Sequence, residues 1–126
     1  MKAANLKAMS VDELVARFAA IGVEQDDAMM RGAYGDNARY RRLFQQMSAV
    51  EQELKIRPRD QRRALVALYN HPNMQVRLMA AKLTLAVDPG AARKILEAIA
   101  NSRLQPQAGD AGMSLWNLDR GVFVPK

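Results

Sequence analysis

The sequence predicts an all-α fold of about six to seven short helices with a non-helical C-terminal tail, and three observations predict it. Ala, Leu, Met, Arg and Gln, all good helix formers, dominate the chain. Apolar residues recur at steps of three and four, the signature of helices with one buried face. Pro and Gly fall between these periodic runs, where they act as punctuation. A length of 126 residues with 49% apolar and 25% charged residues is that of one ordinary domain core, so residues 1–126 are expected to form a single helical domain.

Residues 1–9 carry no apolar pattern and are expected to be flexible. The first helix begins after Ser10, because Ser10 and Glu13 have the spacing of a capping box. Leu14, Val15, Phe18 and Ile21 share one face, and Gly22 reads as the stop. A short second helix is expected within residues 24–35. Acidic groups at Glu24, Asp26 and Asp27 suit a helix start, while Gly32 and Gly35 weaken the run.

The longest stripe is Tyr40, Leu43, Phe44, Met47, Val50 and Leu54, predicting a helix over 37–57 capped by Asp36 or Asn37 and ended by Pro58. A helix over 60–69 would bury Leu65, Leu68 and Tyr69. Asn73 then caps a helix that faces Val76, Met79, Ala80, Leu83 and Val87 inward. Asp88 caps the next helix, with Pro89 at its first position, where a missing N–H is harmless, and Ala92, Ile95, Leu96 and Ile99 form its stripe. Residues 104–109 read as a linker, Ala111 to Leu118 as a short final helix, and Val122-Phe123-Val124 as a strap laid across the helices.

The stretch His71-Pro72-Asn73-Met74-Gln75-Val76-Arg77-Leu78-Met79-Ala80-Ala81 resembles a HEAT repeat. The resemblance implies that Asn73 turns the chain, Val76 points inward, Arg77 braces a neighbouring turn, and Ala80 and Ala81 let two helices approach closely. Over most of the chain, Tyr40-Arg41-Arg42-Leu43-Phe44, Glu51-Gln52-Glu53-Leu54, His71-Pro72-Asn73, Ala108-Gly109-Asp110-Ala111-Gly112-Met113 and Leu118-Asp119-Arg120-Gly121 are similar to the DUF2019 family of uncharacterised bacterial proteins. That resemblance implies a HEAT-like α–α superhelix and brings no activity with it.

The chemistry-bearing residues point away from catalysis, and a non-enzyme is expected. His71 is the only histidine, set in a turn with neither nucleophile nor orienting carboxylate beside it in sequence. No cysteine exists to form a disulfide or a thiolate metal site. Glu51 and Glu53, two apart, point to different sides of a helix, so no metal site is expected. Gly109-Asp110-Ala111-Gly112 lacks the following Lys-Ser/Thr of a nucleotide loop, and no cofactor is expected. Asp110 and Asp119 are candidate buried partners for Arg77 or Arg120. No apolar run is long enough to span a membrane and no secretion signal is read, so a cytoplasmic protein is expected.

Charge separates two binding hypotheses. The net charge is +6, and residues 37–63 carry eight basic against three acidic groups. Arg39, Arg42, Arg59 and Arg63 are therefore the candidate contacts for an anionic partner, a nucleic acid being the alternative reading. The leading expectation is a protein-binding module of the kind HEAT-like helices provide. Its partner would be an acidic protein or a second copy, with Met29, Met30, Met74, Met79, Trp116 and Phe123 offering apolar contacts unless they complete the core.

Overall fold

A computed structural model of the chain describes residues 5–31 and 36–126. Its regular structure is helical: α1 (Val11–Met29), α2 (Asn37–Ile56), α3 (Met74–Thr84), α4 (Pro89–Asn101) and α5 (Gln107–Asp119), with 3-10 segments at Leu6–Ala8 and Gln61–Asn70. Helices pack chiefly on their neighbours in chain order, α1 on α2, α3 on α4 and α4 on α5. This is the all-α, HEAT-like class. The chain divides into two compact units, Met1–Ala64 and Leu65–Lys126.

In the first unit, Ser10 and Glu13 close the capping box that starts α1. The Ser10 N–H donates to Glu13 Oε1 at 2.9 Å, and the Glu13 N–H donates to Ser10 Oγ at 3.1 Å. The helix does not stop at Gly22. Leu14, Phe18, Ile21, Gly22, Gln25 and Ala28 form one unbroken buried stripe, so Gly22 lies inside it. The propensity cost of a mid-helix glycine, about 1 kcal/mol, is smaller than what burial of the surrounding face contributes. Residues 24–29, read as the start of a separate helix, therefore extend α1. The remainder of that expected helix, residues 32–35, lies outside the described residues, as do residues 1–4 of the stretch expected to be flexible.

The Asp36 carboxylate accepts the Arg39 N–H at 3.1 Å and caps α2. Leu43, Met47, Val50 and Leu54 are buried, but Phe44 is exposed and Tyr40 half-buried. The steps 43–47–50–54 centre the stripe, and Phe44 falls to its edge. α2 ends at Arg57, whose extended backbone accommodates the following Pro58. The Arg57 guanidinium donates to the carbonyls of Leu6 and Met9, at 3.1 and 2.7 Å, tying the leading 3-10 turn to the end of α2.

The helix expected over 60–69 is a 3-10 segment. Its buried residues, Arg62, Leu65 and Leu68, recur every third position, which matches three residues per turn and does not match an α-helix.

In the second unit, Asn73 Oδ1 accepts the Val76 N–H at 3.2 Å and caps α3. His71 Nδ1 accepts the Asn73 N–H at 3.0 Å, and Arg77 donates to the carbonyls of His71 and Pro72 at 2.7 and 3.1 Å. Gln75, Val76, Leu78, Met79, Ala80, Ala81 and Thr84 are all buried, so α3 is packed almost all round. Leu83 and Val87, expected inward, are half-buried, and Thr84 and Leu85 take the buried places. Thr84 is bonded back to the Ala80 carbonyl and to the Tyr69 hydroxyl, which satisfies its buried oxygen.

Asp88 stands at the cap position of α4 without a side-chain capping bond, and Pro89 begins the helix. Leu78, Ala81, Leu85, Ala92, Leu96, Ile99 and Ala111 form the core of this unit.

α5 begins inside the expected linker, at Gln107. The Gln105 side-chain oxygen accepts the Gly109 N–H at 2.9 Å and so serves the exposed first turn. A β-carbon on residue 109 would come within 2.9 Å of that same oxygen, so glycine leaves it room. Gln107 is buried and donates to Gln75 at 3.2 Å, joining α5 to α3. The expected strap is not laid down. The N–H groups of Val122 and Phe123 both return to the Asn117 carbonyl, at 3.0 and 3.2 Å, and the side chains of Val122, Phe123 and Val124 stay exposed.

Candidate functional site

Three cations of the basic segment, Arg39, Arg57 and Arg62, are paired within their own unit. Arg39 donates to Asp27 Oδ2 at 2.7 Å and lies 3.8 Å from Glu24. Its hydrogen bond, with that of Arg31, holds the Asp27 carboxyl below the usual aspartate range. Arg57 bonds Glu53 at 2.8 Å besides the two carbonyls already described. Arg62 grips both carboxylate oxygens of Asp60 at 2.7–3.2 Å and reaches Glu51 at 3.8 Å, with its side chain only 6% exposed. The bond from Arg62 lowers the Asp60 pKa, whereas burial raises that of Glu51 against the pull of Arg62. Arg42, Arg59 and Arg63 are exposed. Arg59 and Asp60 have positive φ angles, 69° and 51°, at the junction between α2 and the 3-10 segment.

The second candidate surface is the edge formed by α5 and the residues after it. Met113 and Trp116 are separated by one helical turn and are 58% and 51% exposed. With Gly112 they line an open depression of about 250 Å³. The Arg120 guanidinium lies over the Trp116 ring, 4.3 Å from its centroid. Val122, Phe123 and Val124 continue the exposed apolar run, at 70%, 48% and 63%. Met113, Trp116 and Arg120 stand at steps of three and four, so their common face was present in the sequence as a pattern.

Carboxylates on this edge already have cations. Asp110 pairs with Lys82 at 2.9 Å and accepts from Ser114. Asp119 takes two bonds from Arg93, at 2.7 and 3.0 Å, which hold its carboxyl below the usual range. The expected buried pairing of Asp110 and Asp119 with Arg77 or Arg120 is therefore corrected. Both aspartates lie on the surface, Arg77 serves backbone carbonyls, and Arg120 lies on a ring. Their partners come from distant positions that no local spacing reveals.

Other candidates separate cleanly. Met79 is buried, Met29 and Met74 are half-buried, and Met74 packs against the core of the second unit. Met30, Trp116 and Phe123 are exposed. Val76, Ala80 and Ala81 are buried in α3. His71 serves its turn through Nδ1. Among the described residues no group of three or more His, Cys, Asp or Glu side chains is placed to hold a metal ion, and no helix is long and apolar enough to cross a membrane.

A family described as "Domain of unknown function (DUF2019)" matches residues 12–119. The crystal structure of the protein RPA1889 from Rhodopseudomonas palustris CGA009 is similar throughout, with 53% sequence identity and a TM-score of 0.93, covering 98% of this chain and 100% of that one. No curated protein matches the chain.

Proposed function

The chain belongs to the DUF2019 family, and from that premise we propose that it is a non-enzymatic protein–protein interaction module working in the cytoplasm. One observation carries the reading. Met113 and Trp116 present an uncovered apolar face beside a stacked guanidinium, on a helix anchored to the unit's core through Ala108 and Ala111. Trp and Arg are among the residues that most often anchor protein interfaces.

Polyanion binding is the second reading, supported by the exposure of Arg42, Arg59 and Arg63 and by the net charge of +6. It is weakened by the engagement of Arg39, Arg57 and Arg62 with partners in their own unit.

Affinity capture from lysate of cells that express the protein, with and without nuclease, tests both. A stoichiometric protein that survives nuclease is the expected outcome. Recovery of nucleic acid alone, lost on joint replacement of Arg42, Arg59 and Arg63 by Ala, would overturn it in favour of the second reading.

A further inference from the structure

We propose that the α5 edge docks an acidic amphipathic segment of a partner protein, its apolar side chains seated on Met113 and Trp116 and a carboxylate held by Arg120. This rests on the reading of the chain as an interaction module and names the surface and the chemistry of what binds there.

Size and shape argue for a peptide anchor. A depression of about 250 Å³ bounded by Gly112, Met113 and Trp116 is below the usual range for a whole small-molecule ligand and suits one or two inserted side chains. Beyond it, Val122 and Phe123 are held against the last turn of α5 by their bonds to the Asn117 carbonyl. Apolar contact therefore extends past the depression, towards the C-terminal end of the helix.

Charge sets the partner's sign. Arg93 and Lys82 already neutralise Asp119 and Asp110. Among the described residues no ion pair holds Arg120, whose guanidinium carbon lies over the Trp116 ring, 4.3 Å from its centroid. A guanidinium carries five N–H donors in a planar fork, and a carboxylate can accept two of them side by side. The indole strengthens this arrangement by orienting the cation before a partner arrives.

The same charge argues against a second copy of the chain. A two-fold contact through this edge would bring two Arg120 groups towards each other, with the nearby aspartates already paired.

The test is a display library of random peptides spanning about four helical turns, panned against the full chain. Peptides rich in Asp and Glu, with apolar residues at helical spacing, are the expected pool. They should shift the fluorescence of Trp116, the only tryptophan. Their affinity should fall about tenfold or more on Met113→Glu and on Arg120→Glu, and less on Arg120→Lys, which keeps the charge but loses the paired donors. Circular dichroism melts establish that the variants remain folded.

Absence of enrichment, a pool without acidic bias, or equal binding to wild type and Met113→Glu would overturn the proposal. So would a concentration-dependent dimer in sedimentation that Met113→Glu abolishes, which would assign the edge to a second copy. In the lysate experiment, a captured protein retained by Met113→Glu removes this surface and leaves the broader reading standing. Capture of no protein at all removes the broader reading itself.

Discussion

Between Arg39 and Arg63, the guanidinium groups of Arg39, Arg57 and Arg62 turn to carboxylates and carbonyls of their own unit, whereas at the end of α5 a single guanidinium lies on an indole amid uncovered apolar side chains. The first region is rich in charge, and three of its eight cations are already paired. The second has little charge and leaves it accessible. Linear density of arginine is thus a poor guide to where this molecule can meet an anion. What counts is how many carboxylates and carbonyls the fold brings to each guanidinium.

Replacing Arg62 by Ala attacks this contrast at its strongest point. It leaves Asp60 and the half-buried Glu51 without their shared cation, and a loss of about 3 kcal/mol in urea unfolding is expected. Arg42→Ala, at an exposed position of the same basic segment, should change stability by no more than about 0.5 kcal/mol. Equal effects from the two would show that Arg62 is not structurally committed.

The pH dependence sharpens the same point, because the two carboxylates beside Arg62 are shifted in opposite directions. Asp60 is lowered by its bond to Arg62. Its contribution is present above its ordinary value, about 3.9, and is lost as pH falls through the folded value. Glu51 is raised by burial. Its contribution is present below its ordinary value, about 4.3, and is lost as pH rises through the folded value. Urea midpoints measured across acid pH should therefore rise and then decline slightly. Asp60→Asn reduces the rise, to which the lowered Asp27 and Asp119 also contribute, and Glu51→Gln reduces the decline.

Smaller effects follow at the edges of both regions. Arg59→Gly relieves a left-handed backbone at φ 69° and is expected to raise stability by about 0.5 kcal/mol, the strain relief slightly exceeding the added freedom of the unfolded chain. Met113→Glu, on an exposed face, should leave thermal and urea midpoints nearly unchanged while weakening peptide binding about tenfold or more. A large loss of stability there would mean that Met113 belongs to the core.

Local signals were readable from the sequence, and non-local ones were not. The Ser10–Glu13 box, the caps at Asp36 and Asn73, and the stripe from Leu43 to Leu54 each act within a few residues, so spacing alone revealed them. Gly22 misled because its effect depends on whether tertiary packing covers it, and it does lie in a buried stripe. The 3-10 segment was hidden because one of its three buried positions is Arg62, which reads as polar until Asp60 and Glu51 are seen around it. The sequence pattern starts α5 too late, because the side chain that serves its first turn, Gln105, stands outside the helix and is not a usual cap. At the candidate site, the sequence points to Trp116 but pairs Arg120 with a carboxylate, whereas its neighbour one turn back is the ring.

α3 has a further consequence for motion. With Gln75, Val76, Leu78, Met79, Ala80, Ala81 and Thr84 buried around its circumference, it offers no side from which to peel away. Exposing any of its interior amides means dislodging several packed side chains at once, so these amides should exchange with deuterium only through global opening. Amides at the last turn of α5 and after it, beside exposed Val122 and Val124, should exchange through local fraying. The second unit would then have a slow interior and a quick margin, and the surface offered to a partner lies on the margin, free to adjust its fit while α3 holds still.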